Sequence, residues 1–263
     1  MTQRRNLSVL AALVLVAVMA SGCTFYGKLK ARDKLNKGVT AYSNKEYTEA
    51  EAFFKEAVKY DPELLHAWLY LATTYRVQVP PIKTDEGVAM ANKAIAAFED
   101  VLKVDPKNEN AMASIAGLYV SPLEDRDKAR EWQRKRMELD PKNPEPLYYS
   151  ATLDWQEVYE KTGQTGESVE SLTDEEKTQL NAKVDDGVSL LNQALKIKPD
   201  YTDAMQYLNL LYREKAKLTS DADEKKKWLR EADGLALNAI AVKRKAEEEA
   251  EKQRRMLKTT SEK

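Results

Sequence analysis

Trp68-x-x-Leu71-Ala72-x-x-Tyr75, followed after a lengthened connection by Ala94-x-x-x-Phe98-x-x-Val101-x-x-x-x-Pro106, is the stretch that decides the fold. Each half spaces its apolar residues as one face of a helix, and the proline closes the pair. The same order recurs. Residues 31–64 carry Gly38, Tyr42, Ala50, Phe54, Ala57 and Pro62. A third unit reads Met112-x-x-Ile115-Ala116-x-x-Tyr119 and then Ala129, Gln133 and Pro141. A fourth has Leu147 and Ala151, then Gly187, Leu191, Ala194 and Pro199. A fifth has Met205-x-x-Leu208-Asn209-x-x-Tyr212, then Ala232, Ala236 and Ala239. A recurring pair of short helices predicts an all-α fold, an α-α superhelix of about five helix-pair repeats.

The pattern has a steric reading. Small residues at 38, 72, 116 and 151 let paired helices approach, while Trp68, Tyr75, Phe54 and Phe98 fill the gaps between them. Asp61-Pro62, Asp105-Pro106, Asp140-Pro141 and Lys198-Pro199 stop each second helix, because proline lacks the N–H and disfavours helix in the residue before it. With these residues in phase, the chain resembles the tetratricopeptide (TPR) repeat family over residues 31–242. The units lie near 31–64, 65–108, 109–143, 144–201 and 202–245, with a charged helical tail over 246–263.

Two units are longer than the ~34-residue period of that family. The second contains a proline-stiffened connection, Val77-Gln78-Val79-Pro80-Pro81-Ile82-Lys83, within an insert over 77–88. The fourth is lengthened by about 24 residues against the same period, an insert over 157–180. It includes the flexible turn Lys161-Thr162-Gly163-Gln164-Thr165-Gly166-Glu167. After it, Thr173-Asp174-Glu175-Glu176 has the spacing of a capping box and predicts a helix from Asp174 to Ile197.

Composition narrows the function. The 263 residues are 32% charged with a net charge of −1; without residues 1–22, which hold Arg4 and Arg5 and no acids, 40 basic side chains face 43 acidic ones, or −3. A nucleic-acid-binding chain would carry a basic excess, and none is present. One cysteine and one histidine rule out an internal disulfide and leave little for a Cys/His metal site or His-dependent catalysis. No cofactor or metal is expected, and the chain does not read as an enzyme. Gly163-Gln164-Thr165-Gly166-Glu167-Ser168 lacks the Lys-Ser/Thr pair and the preceding strand of a phosphate loop. Arg130, Arg134, Lys135 and Arg136 read first as a solvated face, with contact to anionic lipid headgroups as the sharper alternative.

At the other end, Arg4 and Arg5 precede an apolar run from Leu7 to Ala20. At about 14 residues it is short of the ~20 a spanning helix needs, so it reads as the core of an export signal over residues 1–22. Ala20-Ser21-Gly22-Cys23 resembles a bacterial lipobox, with Ala where Leu is preferred at position 20. That resemblance implies diacylglycerol on the Cys23 sulfur and cleavage before it, with residues 23–30 as a short tether. By the same resemblance, Thr24 in place of Asp directs such a lipoprotein to the outer membrane, facing the periplasm of the cell envelope.

TPR proteins bind partners through helix positions that line a groove. Carried onto this chain, the residue types suited to anchoring a partner are Tyr42, His66, Arg76, Tyr148, Trp155 and Arg213. Packing against the protein's own loops suits some of them equally, Trp155 above all. His66 fits a packing or groove role better than that of a base or metal ligand. Chaperone-binding TPR domains clamp a C-terminal carboxylate with a Lys and an Asn, but the matching positions here are Leu35 and Val39, followed by Asn110 and Ser114, so that clamp is absent. The resemblance implies a membrane-anchored protein-interaction scaffold, like several envelope assembly and secretion-complex lipoproteins, with a protein or peptide partner. The alternative is a solute- or glycan-binding lipoprotein that uses the groove aromatics, with the 157–180 insert as a lid.

Overall fold

A computed structural model describes residues 25–80 and 82–261, with the backbone alone for 257–261. Cys23 and the export signal lie outside the described residues. Ten α-helices and no strand occur among those residues: α1 (25–43), α2 (Tyr47–Tyr60), α3 (Leu65–Arg76), α4 (Asp85–Val104), α5 (Glu109–Val120), α6 (Arg126–Leu139), α7 (Glu145–Thr162), α8 (Asp174–Ile197), α9 (Thr202–Leu218) and α10 (Ala222–Ser261). None of these helices is long and apolar enough to cross a membrane. They form five successive pairs, divided into two compact units at 132/133, within α6.

The phased prolines build one turn four times. The amides of Leu64, Asn108, Asn143 and Tyr201 each donate to the carbonyl three residues back, on Asp61, Asp105, Asp140 and Lys198, at 3.1 Å in every case. Proline second in the turn presets the φ that this geometry needs. At the three Asp-Pro turns the carboxylate also accepts the amide two residues on, from Glu63, Lys107 and Lys142, at 3.3, 3.2 and 3.0 Å. Lys198 has no such acceptor, so the fourth turn relies on its backbone bond and its proline.

In the first unit, the crossing of α1 and α2 depends on Gly38. A Cβ there would fall 2.5 Å from the Phe54 ring, which is fully buried. Ala50, Leu71, Ala72, Tyr75, Ala94, Phe98 and Ile115 continue that core. The 77–88 insert is pinned to it. Thr84 caps α4 by accepting the Gly87 amide at 3.0 Å, and Pro80 lies so close that a Cβ on Gly87 would meet its Cγ at 2.8 Å.

In the second unit the long insert is spent on helix. The capping box forms as its spacing predicts: Thr173 Oγ1 accepts the Glu176 amide, and the Glu176 carboxylate accepts the Thr173 amide at 2.8 Å. The helix it opens runs 24 residues from Asp174 to Ile197. Residues 157–162 extend α7 to 18 residues, until Gly163 at φ +77° ends it. Val158, Leu180, Val184 and Leu218 are buried together where the lengthened ends of α7, α8 and α9 meet. A lid is therefore not what the insert forms. It adds a layer to the core, because its apolar residues keep helical spacing on both sides of the 163–173 turn.

That added layer encloses a polar group. Glu214, 2% exposed, accepts the Thr162 hydroxyl at 2.6 Å and pairs with Lys217 at 2.8 Å. Lys217 also donates to the Gly163 carbonyl at 2.8 Å, fastening the end of α7 to α9.

Two other expectations change. Arg136 does not belong to a solvated face: it is 2% exposed, donates to Gln133 Oε1 at 2.8 Å and pairs with Glu145 at 3.2 Å. Residues 25–30, assigned to an extended tether, are helical and extend α1 backwards, since nothing from Phe25 to Asp33 forbids helix. The charged tail expected to be helical is so through residue 261, as a continuation of the last repeat. Helix α10 runs through residue 245 without a break, packed on α9 through Ala232, Leu235 and Ala239 and exposed over 243–256.

Candidate functional site: two aromatic faces

Each unit gathers tyrosines on or beside the first helices of its repeats. In the first unit, Tyr42 on α1 meets Tyr47 edge-on at 5.7 Å and Tyr70 at 5.9 Å, and Tyr70 stacks on buried Phe54 at 5.3 Å. This face is thus tied directly into the core. Burial pushes the Tyr42 phenol up, the neighbouring phenols of Tyr47 and Tyr70 add to this, and the Arg76 guanidinium opposes it. Arg76 and His66 are exposed on α3. The structure brings Tyr42 and Arg76 into one neighbourhood, and places His66 at the opening turn of α3.

In the second unit the aromatics form a ladder. Tyr148 on α7 lies 5.3 Å from Tyr201 and 5.4 Å from Tyr207; Tyr207 lies 5.4 Å from Trp155, which stacks on Tyr159 at 5.2 Å. Positions 148, 155 and 159 share one face of a helix by their spacing of seven and four. Tyr201 precedes α9 and Tyr207 is within it, so the ladder spans two consecutive repeats. Its rungs are half-buried, and Tyr149 beside Tyr148 is 46% exposed. A hollow of about 530 Å³ opens at the Tyr148 end, lined by Tyr148, Tyr149, Tyr201, Glu145, Asp203 and Lys198.

The ladder offers faces, not acids or bases. Burial, then Tyr207, Asp203 and Tyr149, push the Tyr148 phenol up to about 12. Burial and the neighbouring Tyr148 and Glu145 raise Tyr201 likewise. Both hydroxyls stay protonated throughout the neutral range, available as hydrogen-bond donors beside large apolar rings. Trp155 Nε1 is shielded and has no hydrogen-bond partner among the described residues.

Of the residues singled out from sequence, Tyr148 and Trp155 are brought together through Tyr207. Arg213 is drawn away. It donates to Asn209 at 2.8 Å and pairs with Asp233 of α10 at 2.6 Å, so it works chiefly as a link between the last two helices. Sequence reasoning missed Tyr149, Tyr159, Tyr201 and Tyr207. The signal was the density of aromatics at 148–159 and 201–212, which fixed groove positions did not weigh. Among the described residues no group of His, Cys, Asp and Glu is arranged to hold a metal ion.

Residues 34–64 match the model of the tetratricopeptide repeat family. Among solved structures, the chain resembles YrrB, described as a TPR protein with an unusual peptide-binding site, at 17% identity and a TM-score of 0.50, over 80% of this chain and 90% of that one. It also resembles a MamA protein at 16% identity and a TM-score of 0.52, over 81% and 94%. A second MamA, from Desulfovibrio magneticus RS-1, matches at 12% identity and a TM-score of 0.53, over 82% and 96%. The chain has the tetratricopeptide-repeat fold. A search of the curated proteins found no match. At these identities the likeness to YrrB and MamA is one of fold. The TPR fold is a scaffold for binding proteins and peptides, and its stacked repeats supply extended binding surfaces.

Proposed function

We propose that this TPR protein is a membrane-anchored scaffold that holds an extended segment of a partner protein against the tyrosine ladder of α7 and α9. The observation that carries this reading is the ladder itself. Tyr201, Tyr148, Tyr207, Trp155 and Tyr159 run along two repeats within ring-contact distance, half-buried and uncharged. Tyrosine and tryptophan offer large area at small entropic cost, which is why they anchor interfaces. The hollow beside Tyr149 gives one partner side chain a seat, rimmed by Glu145 and Asp203 on one hand and Lys198 on the other. Anchoring rests on Cys23 and the lipobox-like residues before it, and an envelope assembly or secretion role follows from that anchor.

Crosslinking in intact cells followed by mass spectrometry tests the proposal. Partners found with the native chain should be lost from Tyr148→Ala and Trp155→Ala variants that retain native circular dichroism. Retention of every partner by both folded variants would remove the ladder from the binding surface.

A further inference from the structure

The opening turns of α1 present three large apolar side chains to solvent: Phe25 is 68% exposed, Tyr26 59% and Leu29 52%. Their placement is directional. At about 100° per residue, Phe25, Leu29 and Tyr26 fall within one arc of roughly 100°, and Ala31 lies nearly opposite its centre. Ala31 is fully buried, and a Cβ on Gly27 would stand 3.1 Å from the Tyr60 carbonyl. One side of the helix is thus packed on α2, and the apolar arc points the other way.

Basic side chains frame the arc. Lys28 and Arg32 are exposed at one margin, and Lys30 lies at the other, its ammonium 4.8 Å from the Tyr26 ring and 5.3 Å from that of Tyr60. Asp33, the only acid from Phe25 to Lys34, falls on the side of the arc one turn beyond Leu29, and Lys37 pairs with it at 2.9 Å. Apolar and aromatic rings bordered by lysine and arginine suit the boundary of an anionic bilayer, where rings sit at headgroup level and the basic groups meet phosphates. Cys23 lies two residues before Phe25, and two residues span at most about 7 Å. An acyl chain on Cys23 would bring the arc to the headgroups.

We infer that Phe25, Tyr26 and Leu29 form an interfacial footprint that seats the first unit on an anionic membrane surface, with Lys28, Lys30 and Arg32 facing lipid phosphates. The inference adds to the lipid-anchor reading a second, non-covalent contact. That contact fixes how α1 meets the membrane, where an acylated cysteine alone would leave it free to turn.

The test uses the full chain purified from membranes and reconstituted in vesicles of phosphatidylcholine and phosphatidylglycerol. Leu29→Cys takes an environment-sensitive fluorophore, and Asn92→Cys on exposed α4 serves as control. Lipids bearing a shallow spin-label quencher should quench the fluorophore at 29 and leave that at 92 unaffected. Equal, absent quenching at both positions overturns the footprint. So does a bis-maleimide that joins Leu29→Cys to a second copy while lipid quenching is absent, since the arc is then a contact between copies. The intact mass separates the two readings. An acylated Cys23 with no quenching at 29 defeats the footprint alone, whereas an unmodified Cys23 defeats the anchor, and the footprint is then kept if quenching at 29 persists in Leu29→Cys on a Cys23→Ser background, where position 29 carries the only thiol.

Discussion

The two units use one repeat code to different ends. In the first, Tyr70 stacks on Phe54, a ring with no exposure, and Tyr42 and Tyr47 join it through Tyr70, so its aromatics serve the core as much as the surface. Of its first helices, α3 and α5 have 12 residues each, and only α1, extended backwards to residue 25, is longer. In the second, α7 and α9 have 18 and 17 residues, and the added turns carry the lower part of a ladder that stays half-buried. Lengthening α7 and α9 together widens the surface available to a partner. It also creates an interior in which Glu214 has to be satisfied by Thr162 and Lys217. A solenoid can thus acquire a local surface by extending consecutive helices, provided the new layer packs.

The two units differ most in what a lost carboxylate should cost, and Glu214 carries the larger loss. Glu214→Ala leaves the Thr162 hydroxyl and Lys217 without their shared acceptor and should cost about 3 kcal/mol, whereas Asp33→Ala, removing the exposed Lys37 pair of the first unit, should cost at most about 1 kcal/mol. Urea unfolding of the two variants measures both; equal losses would deny the added layer its buried network. Next comes Gly38→Ala. Phe54 has no room to retreat, so overpacking should destabilise the first unit by about 2 kcal/mol. Gly117→Ala on α5, where no atom lies within 4 Å of the added Cβ, should instead stabilise by about 0.7 kcal/mol through reduced backbone entropy in the unfolded chain. If both substitutions move stability the same way, close approach at Gly38 is not what holds α1 to α2.

The smallest effect concerns the 163–173 turn. Glu167 accepts the Gln164 and Thr165 amides at 3.2 and 2.7 Å and the Thr165 hydroxyl at 2.9 Å, and backbone hydrogen bonds hold its carboxyl down at about 2. A folded value below the ordinary 4.5 means the carboxylate favours the folded turn above that pH and stops doing so as pH falls through about 2. Carbon-detected NMR of the side-chain carboxyl should find Glu167 titrating well below the other glutamates. An ordinary midpoint would show that the turn is not organised around it.

Much of this was legible in the chain. Four phased prolines give four superposable turns because φ at proline and the lost N–H act locally, whatever surrounds them. Thr173 and Glu176 specify the start of α8 by themselves, again a local matter. What the sequence hid depends on neighbours brought from afar. Arg136 looks like one more cation in a basic run until Glu145 closes over it. Tyr201 and Tyr207 fall outside the groove positions taken from standard-length helices, and only the pairing of α7 with α9 shows that they complete the ladder. Arg213 was misleading for the same reason, since Asp233, its partner, lies twenty residues further on.

The central claim is that the second unit's tyrosine ladder is where a partner is held. A photo-crosslinking phenylalanine analogue placed at Tyr149, exposed at the mouth of the hollow, tests it inside the cell against the same analogue at exposed Glu99 on α4. A ladder that holds a partner gives a discrete adduct from position 149 that vanishes in a Tyr148→Ala background, and none from position 99. An adduct from 99 with none from 149 would contradict it.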